Sequence, residues 1–482
     1  MGVNMISAKE ALRSAKDNLP RLKGEVLFLA AFALFYLEDF NIFSNPHAFA
    51  FVFGAETSAN INTVSMLTTL AGFIILALMY QKKLFTISEG NGLLVCCGLI
   101  VAGGAAWALS PLTPNPMPLQ VTGLAFAAFG HLCFLPEIVK NLAAIGSTKS
   151  LITYSLVLLI MAVARPIIDL MPAQCLYVYL FISPVIMTLC LRKIPPEATA
   201  RVKLRKEAEA RVPKALIATM IALGLLMGLR IVSSGNGADI SPLANSLLLA
   251  ASAIACATLA ILFKLNFNRL FYLTAFPLMC MGLLMFIVPG DFPHLLGNAL
   301  FVLGQSFFYG VLWALYSYLV RYSSFNYYWL PISAAIGSFL GRVLGIEGFR
   351  RIVELFGDHS AEVAFVLAVT VLLAMILCTG LCTRNNMRDG WGSIAPGDHD
   401  FTLDPFDRNC DIAAANAGLT GREADILKML ARGRNAKFIS ENLFISKETT
   451  KTHIKRIYRK MGVHSQQEVI DSIAKMSEHN KD

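Results

Sequence analysis

Apolar runs long enough to cross a lipid bilayer recur along the chain as far as Cys382. A spanning α-helix needs about 20 mostly apolar residues, and in lipid each helix must satisfy its backbone hydrogen bonds internally. Charged residues make up only 15% of the chain, whereas a soluble domain typically has about 25%. The sequence therefore predicts an all-α fold dominated by a polytopic transmembrane helix bundle. We place about twelve spans, at 25–43, 60–80, 91–110, 118–139, 151–171, 173–191, 214–233, 243–264, 269–288, 296–320, 326–345 and 359–382.

The positions of Lys and Arg between the spans predict the orientation of this bundle, because cytoplasmic loops are enriched in these residues. Alternate loops carry them, at Lys82 and Lys83, Lys140 and Lys149, Arg192–Lys214, Lys264 and Arg269, Arg321, and Arg384 and Arg388. We therefore expect a multi-pass protein of the bacterial cell membrane with both termini in the cytoplasm. The first run is expected to be a retained first span after a cytoplasmic N-terminal segment, 1–24, because no small-residue cleavage site follows the run. One set of charges around the end of span eleven falls on the outer side and predicts an amphipathic surface helix: Arg342, Glu347, Arg350, Arg351, Glu354 and Asp358.

The spans form two sets of six. The first half covers 25–191, a cytoplasmic central loop covers 192–213, and the second half covers 214–382. This layout resembles the major facilitator superfamily. That family's Gly/Asp/Arg-rich motif between spans two and three is absent from Tyr80–Phe85, so the resemblance implies the fold more than transport. The next segment, 383–418, is rich in Gly, Pro, Asn and Asp and is predicted to be a flexible acidic linker with a reach of roughly 35 Å.

Residues 419–482 have the pattern of a compact domain of four helices. Thr420 and Glu423 stand three residues apart before an apolar run, which is the spacing of a capping box. The other helix boundaries are predicted from Gly433, which ends the first helix, from Asn435 and Ser446, which cap the second and third, and from a fourth apolar stripe over Ser465–Met476.

The third helix of this domain has two different faces. Apolar and small residues share one face, at Thr450, Ile454, Ile457 and Met461. Polar and cationic residues share the other, at Lys451, Thr452, Lys455 and Arg459, while Ser446 and Thr449 lie near the helix N-terminus where phosphate oxygens bind. A helix of this kind is suited to the major groove of DNA. From these residues alone, a basic helical domain that binds a protein or lipid surface remains an alternative.

The same segment resembles the LuxR-type (GerE, FixJ/NarL-like) helix-turn-helix domain over about 55 residues. The matching pieces are Leu419-Thr420-x-Arg422-Glu423, Gly433-x-Asn435-x-Lys437-x-Ile439, Leu443-x-Ile445-Ser446, Thr449-x-Lys451-x-His453 and Ile457-x-x-Lys460-Met461-Gly462-Val463-His464-Ser465. The resemblance implies binding to promoter DNA as a homodimer. It assigns DNA contacts to Thr449, Lys451, Thr452 and Lys455, beside Ser446 and Arg459, and dimer contacts to the last helix, at Val469, Ile470 and Ile473. Two positions depart from the family pattern: Thr450 replaces a buried Val, and Gln466 replaces a frequent Arg.

Ionisable and polar residues within the spans are expensive in lipid and point to function. We predict a pocket open to the outside that binds a small polar or anionic ligand, lined by Glu38, Asp39, His131, Arg165, Asp169, Arg230 and Gln305. The alternative is that these groups only pair with one another across helices, with Glu38 or Asp39 facing Arg165 or Arg230. Pro136-Glu137 with Lys140 predicts either a proton or cation relay or a kinked helix with Glu137 at the headgroups.

Together these features predict a membrane-bound, one-component transcriptional regulator. Its expected partners are double-stranded promoter DNA, the lipid bilayer, a small-molecule ligand, a second copy of the chain on DNA, and RNA polymerase. We expect no enzyme activity, cofactor or metal, because no metal cluster, nucleophile–base set or phosphate loop is found in the sequence. Two alternatives remain: a secondary transporter, or transporter-derived transceptor, with an accessory DNA-binding domain, and a structural membrane protein with a degenerate one.

Two mechanisms of signal transfer are compatible with the predicted linker. Ligand could change dimerisation of the bundle and so the local concentration of paired DNA domains. Alternatively, the acidic linker could occupy the basic recognition face until it is released.

Overall fold

The computed structural model describes residues 23–43, 58–81, 92–170, 173–194, 214–233, 241–262, 265–288, 290–322, 325–356, 363, 366–373, 393–394, 410, 413–414, 417–443 and 446–479. The chain divides into two compact units, Met1–Gly397 and Asp398–Asp482.

The first unit is a bundle of eleven described helices that fall on the first eleven predicted spans. They are α1 Lys23–Phe43, α2 Ser58–Gln81, α3 Gly92–Leu109, α4 Met117–Ile145, α5 Ser147–Asp169, α6 Ala173–Arg192, α7 Lys214–Ser233, α8 Pro242–Leu262, α9 (Phe267–Leu270, a π-helical turn Phe271–Ala275, and Phe276–Met285), α10 Asp291–Tyr322 and α11 Trp329–Phe356. Leu265–Asn266 (β1) pairs antiparallel with Ser393–Ile394 (β2).

Seven of these helices are long and apolar enough to cross a membrane: α3, α4, α5, α7, α8, α10 and α11. Shorter apolar stretches lie in α1, α2, α6 and α9. This agrees with a polytopic helical domain. The twelfth predicted span, 359–382, lies mostly outside the described residues, so the count of twelve stays a prediction.

Helix α11 is longer than the sequence indicated. The expectation was a span over 326–345 followed by a separate surface helix, but one helix runs from Trp329 to Phe356. Its second half carries the exposed pairs Arg350–Glu347, at 3.0 Å, and Arg351–Glu354, at 3.1 Å. These charges therefore belong to the continuation of span eleven, and Arg342 lies at the middle of the helix instead of near its end.

Glycines let α7 and α11 pack with their backbones almost in contact. Gly224 and Gly228 on α7 face Gly341 and Gly345 on α11. A Cβ atom at Gly345 would lie 2.5 Å from the Leu225 carbonyl oxygen, which is closer than real Cβ contacts. Lipid tails are as apolar as the side chains of a span, so close packing of small residues is a main source of helix association in a membrane. This seam fixes α11 against α7.

The two halves of the bundle interlock through α5 with α8 and α2 with α11, and α10 packs on both α4 and α5. At one end α10 is bonded to the end of α4. Ser317 Oγ donates to the Leu142 carbonyl oxygen at 2.9 Å, and Arg321 donates to the carbonyl oxygens of Ala143 and Ala144 at 3.4 Å. The last carbonyls of a helix have no partner within the helix, so Arg321 supplies a donor to those of Ala143 and Ala144. The halves are thereby closed together at this end.

The second unit contains α12 Gly421–Ala431, α13 Ala436–Asn442, α14 Lys447–Met461 and α15 Gln466–His479. Its own core is formed by buried residues of all four helices: Ile426, Leu427, Leu430, Ala431, Ile439, Ile457, Val469 and Ile473. Cys410, Ala413 and Ala414 are buried in the same core. The folded unit therefore begins before Leu419, within the segment predicted to be linker.

We expect Gly341→Ala to weaken the α7–α11 seam, because the added methyl would meet the backbone of Ile221. Overpacking of this kind costs about 1–3 kcal/mol. The matched control is Gly348→Ala on the same helix, where a Cβ meets nothing within 4 Å. Thermal unfolding of the purified full-length variants in nanodiscs should show a lower Tm for Gly341→Ala only. Equal Tm values for the two variants would contradict the seam.

Candidate nucleic-acid interface

The helix caps predicted for the C-terminal domain are confirmed. Thr420 caps α12, since its hydroxyl accepts from the Glu423 amide while the Glu423 carboxylate accepts from the Thr420 amide at 2.9 Å. Asn435 caps α13, and Ser446 caps α14 by accepting from the Thr449 amide at 3.0 Å. Gly462 ends α14 with φ +66°, a left-handed conformation that glycine adopts without strain. Local sequence thus sets where the recognition helix begins and ends.

An ion pair between a partly exposed lysine and a buried glutamate ties α14 to the start of α12. Lys460 donates to the Glu423 carboxylate at 2.7 Å and to the Gly418 carbonyl oxygen at 3.0 Å. The Glu423 side chain is only 3% exposed. The hydrogen bond from Lys460, with those from Thr420, lowers the pKa of Glu423 to about 2, and this effect outweighs burial, which raises the pKa. Lys460 is therefore a structural residue, although it lies on a basic helix.

The two departures from the family pattern both have structural roles. Thr450 is fully buried, and its hydroxyl donates to the Ser446 carbonyl oxygen at 3.1 Å, so no polar group is left unsatisfied there. Gln466 donates to the carbonyl oxygens of Leu430 at 2.9 Å and Arg434 at 3.0 Å. Its amide thereby joins the start of α15 to the end of α12.

Helix α14 presents a polar, cationic face to solvent. Thr450 and Ile457 are buried on the core side. Every predicted contact residue on α14 whose side chain is described is exposed: Thr449, Lys451, Thr452, Lys455 and Arg459. Arg456 is exposed as well and was not in the predicted set. Its spacing of four residues from Thr452 and three from Arg459 on the helix is the signal that would have included it.

Near its N-terminus, the cationic face is partly engaged with its own helix. Lys451 pairs with Glu448 at 2.8 Å, and both side chains are at least half exposed. Exposed pairs of this kind contribute little to stability, so a phosphate group can replace Glu448 at small cost. At the other end, Lys455, Arg459 and His464 line a shallow pocket of about 420 Å³ with Tyr458, Gly462 and Val463. Basic groups therefore lie along the whole exposed length of α14.

Two of the three predicted dimer contacts are buried within the domain itself. Val469 and Ile473 are fully buried in the core of the domain, where they pack with α12, and are not available to a second copy. The apolar stripe of α15 is the face that closes the domain. Ile470 is partly exposed and is the remaining candidate for a dimer contact.

The predicted ligand-sensing residues are spread over separate places in the bundle. His131 stacks on Phe35 with 4.3 Å between ring centroids, and the Asn245 amide oxygen, correctly oriented, accepts from Arg165. Arg230 Nε donates to the Asn298 side-chain amide oxygen Oδ1 at 3.3 Å. Gln305 lies on α10, seven residues beyond Asn298. The side chains of Glu38, Asp39 and Asp169 lie outside the described residues.

Glu137 is buried in α4, one residue after Pro136, and pairs with Lys140 at 3.2 Å. The Asn141 amide donates to the Glu137 backbone carbonyl at 2.8 Å. The side chain is only 6% exposed, so it is enclosed by protein, and its position at headgroup level stays a prediction.

We expect Glu423→Gln to destabilise a 398–482 fragment at neutral pH and to flatten its pH dependence. The carboxyl's pKa is lower in the folded state than its ordinary 4.5, so its stabilisation is present above pH 4.5 and is lost as pH falls towards 2. The contribution is about 3 kcal/mol. Urea unfolding from pH 7 to pH 3 measures it, with the exposed Glu448→Gln as control. Parallel curves for Glu423→Gln and wild type would contradict this assignment.

Known proteins match this chain in two separate parts. The family described as "GerE: Bacterial regulatory proteins, luxR family" matches residues 417–473. The nitrate/nitrite response regulator protein homolog of Haemophilus influenzae is 49% identical over 47 residues, 10% of this chain and 23% of that protein. The spore germination protein GerE of Bacillus subtilis is 32% identical over 60 residues, 12% of this chain and 81% of that protein. The chain spans less than a quarter of the first curated relatives it matches.

The helical bundle has a counterpart among solved structures. The crystal structure of a bacterial homologue of the iron transporter ferroportin, in an outward-facing state with soaked iron, aligns with 76% of this chain and 100% of that chain. The TM-score is 0.53 at 14% sequence identity, so the likeness is one of fold. This chain belongs, through its C-terminal domain, to the LuxR family of bacterial regulatory proteins, and it joins that DNA-binding domain to a helical bundle with a fold like that of major facilitator transporters.

Proposed function

We propose that the protein is a membrane-bound, one-component transcriptional regulator. The bundle binds a small molecule, and the C-terminal domain binds promoter DNA as a homodimer at the cytoplasmic face of a bacterial membrane. The observation that carries this proposal is the exposed cationic face of α14 on a chain whose other unit has seven helices able to cross a membrane.

The two faces of α14 support specific DNA binding over general attraction to an acidic surface. The buried side of α14 and its caps at Ser446 and Gly462 hold the helix in one position, and Lys460 ties it to Glu423 at the start of α12. Lys and Arg on a helix held this way can address base edges as well as phosphates. We place base or backbone contacts at Lys451, Thr452, Lys455, Arg456 and Arg459, with Ser446 and Thr449 near phosphate.

The second candidate function is a secondary transporter with an accessory DNA-binding domain. The fold of the bundle favours it, because the similar solved structure is that of a transporter homologue. A fold alone does not determine function, however, since one fold hosts many activities. The two proposals differ in whether ligand crosses the membrane.

We expect Lys451→Ala/Lys455→Ala to remove discrete promoter peaks in genome-wide footprinting of the intact protein. Two phosphate or base contacts are lost, each worth about 1–3 kcal/mol where a base edge is read. Lys428→Ala/Arg432→Ala, on the last turn of α12, removes the same charge from another helix. Promoter peaks should persist in this control variant. Equal loss in both double variants would indicate general electrostatic binding instead of recognition by α14.

The genes beside the footprints supply the ligand to test for transport. A sensor is expected to bind this ligand saturably in proteoliposomes without accumulating it, because binding energy alone shifts a conformational equilibrium. Radiolabelled uptake with and without a proton or sodium gradient measures this. Gradient-dependent accumulation would favour the transporter proposal.

A further inference from the structure

The guanidinium of Arg342 lies on the bundle without a carboxylate partner among the described residues. The Nε atom of Arg342 is buried and has no hydrogen-bond partner. Its guanidinium otherwise contacts the Met227 sulfur at 3.3 Å and lies 5.1 Å from the centroid of the Phe339 ring. A thioether is a weak acceptor, and a ring face binds a cation only modestly. Among the described residues no carboxylate pairs with Arg342.

The α7–α11 seam keeps this charge where it is. The Arg342 carbonyl oxygen faces Gly228 at a distance that leaves no room for a Cβ atom. Arg342 stands at the middle of α11, five residues before the exposed charged pairs begin at Glu347. Its Nε is buried, although the residue as a whole is partly exposed. A cationic side chain on a backbone held at mid-helix escapes to the interface less easily than one near a helix end. The guanidinium is therefore partly enclosed by the bundle.

Other polar groups converge on the same strip of α7. Arg230 is three residues beyond Met227 and so shares its face. It donates to Asn298 on α10 and lies 5.1 Å from the Phe301 ring centroid. The Tyr309 hydroxyl of α10 reaches the Met227 sulfur at 3.7 Å. Three helices thus bring two guanidinium groups, an amide and a phenol together with aromatic rings.

The spacing on α10 adds a further polar group to this face. Asn298, Phe301, Gln305 and Tyr309 recur at intervals of three and four residues, which places them on one side of the helix. The spacing therefore places Gln305 on the α10 face that contacts Arg230 and Met227, and Met227 contacts Arg342 on α11. His131 and Arg165 contact residues of other helices, namely Phe35 on α1 and Asn245 on α8.

We propose that this junction is the ligand site of the bundle and that it binds an organic carboxylate with an apolar body. This rests on the proposed function, which gives the bundle a small-molecule ligand. The carboxylate accepts from the planar fork of Arg342, the donor geometry that suits this group best. Arg230 supplies a second cation, and the Phe301 and Phe339 rings contact the apolar body. Such a ligand comes either from the outer solution or from an acidic lipid.

The test is ligand-dependent thermal unfolding of the full-length protein in phosphatidylcholine nanodiscs, without DNA. The probes are benzoate and octanoate, with benzamide and octanamide as neutral counterparts of the same shape. Ligand that binds the folded state raises Tm in proportion to its occupancy. We expect at least one carboxylate to raise the Tm while its amide does not. Discs that contain the fatty acid oleic acid in place of free carboxylate, compared with discs that contain oleamide, test the lipid source in the same way.

The variants separate binding from a structural role. Arg342→Gln should weaken carboxylate binding at least tenfold, and Arg342→Lys should weaken it less, because the charge remains without the fork. Arg350→Gln, at a pair on the exposed part of the same helix, is the control and should leave binding unchanged. The ligand-free Tm of Arg342→Gln should equal or exceed that of wild type, since an unpaired charge has been removed.

Several outcomes would overturn the proposal: no shift with either carboxylate or the acidic lipid, equal shifts with acid and amide, or full binding by Arg342→Gln. Because the assay contains no DNA, these outcomes are independent of the footprinting result. Carboxylate binding without promoter peaks would retain this site and reject the regulator. Promoter peaks without carboxylate binding would retain the regulator and reject this ligand site.

Discussion

A peptide group in hydrocarbon has no hydrogen-bond partner other than another peptide group, and the architecture of this chain depends on that constraint. It makes each long apolar run a helix, so the first eleven predicted spans coincide with described helices. It also removes the hydrophobic effect as a force between helices, so packing must come from close approach. The α7–α11 seam meets this need with Gly224, Gly228, Gly341 and Gly345, which allow one backbone to touch the other.

Because of the same constraint, a charged side chain costs little free energy in the C-terminal unit and much more in the bundle. On α14, Lys455 and Arg459 are solvated at little cost and are free to exchange water for phosphate. In the bundle, the guanidinium of Arg342 contacts the Met227 sulfur and the Phe339 ring. A charge placed there persists only if something compensates for it. For this reason the arginines of the spans, and not the more numerous surface charges, indicate where a ligand binds.

Sequence predicted those features that short-range chemistry determines. The capping box of Thr420 and Glu423 and the two faces of α14 follow from spacing within a few residues. Contacts between distant residues were not accessible in this way. Lys460 looked like one more basic residue of a DNA-reading helix, yet its partner is Glu423. Gln466 looked like a lost phosphate contact, yet it bonds the end of α12.

Two wrong predictions have a common cause. An apolar stripe on a helix shows that one face is covered, but not what covers it. On α15 the stripe of Val469 and Ile473 is covered by the domain's own core and not by a second copy. Likewise, charges after 345 were interpreted as the start of a new surface helix, whereas α11 simply continues to Phe356 and its last turns carry paired charges. Sequence periodicity shows which face of a helix is covered, but the residues that cover it can be identified only from the folded structure.

Helix α10 links the proposed ligand site to the closed end of the bundle. One part of it carries Asn298 and Tyr309 towards α7, and the other carries Ser317 and Arg321, which bond the end of α4. The helix has 32 residues and is about 48 Å long. A ligand shifts a conformational equilibrium only by its difference in affinity for the two states. The Arg321 bonds, at 3.4 Å, are long, so a modest difference suffices to break them. A carboxylate that draws α10 towards α7 would therefore act on the opposite end of the same helix, where Ser317 and Arg321 bond the end of α4.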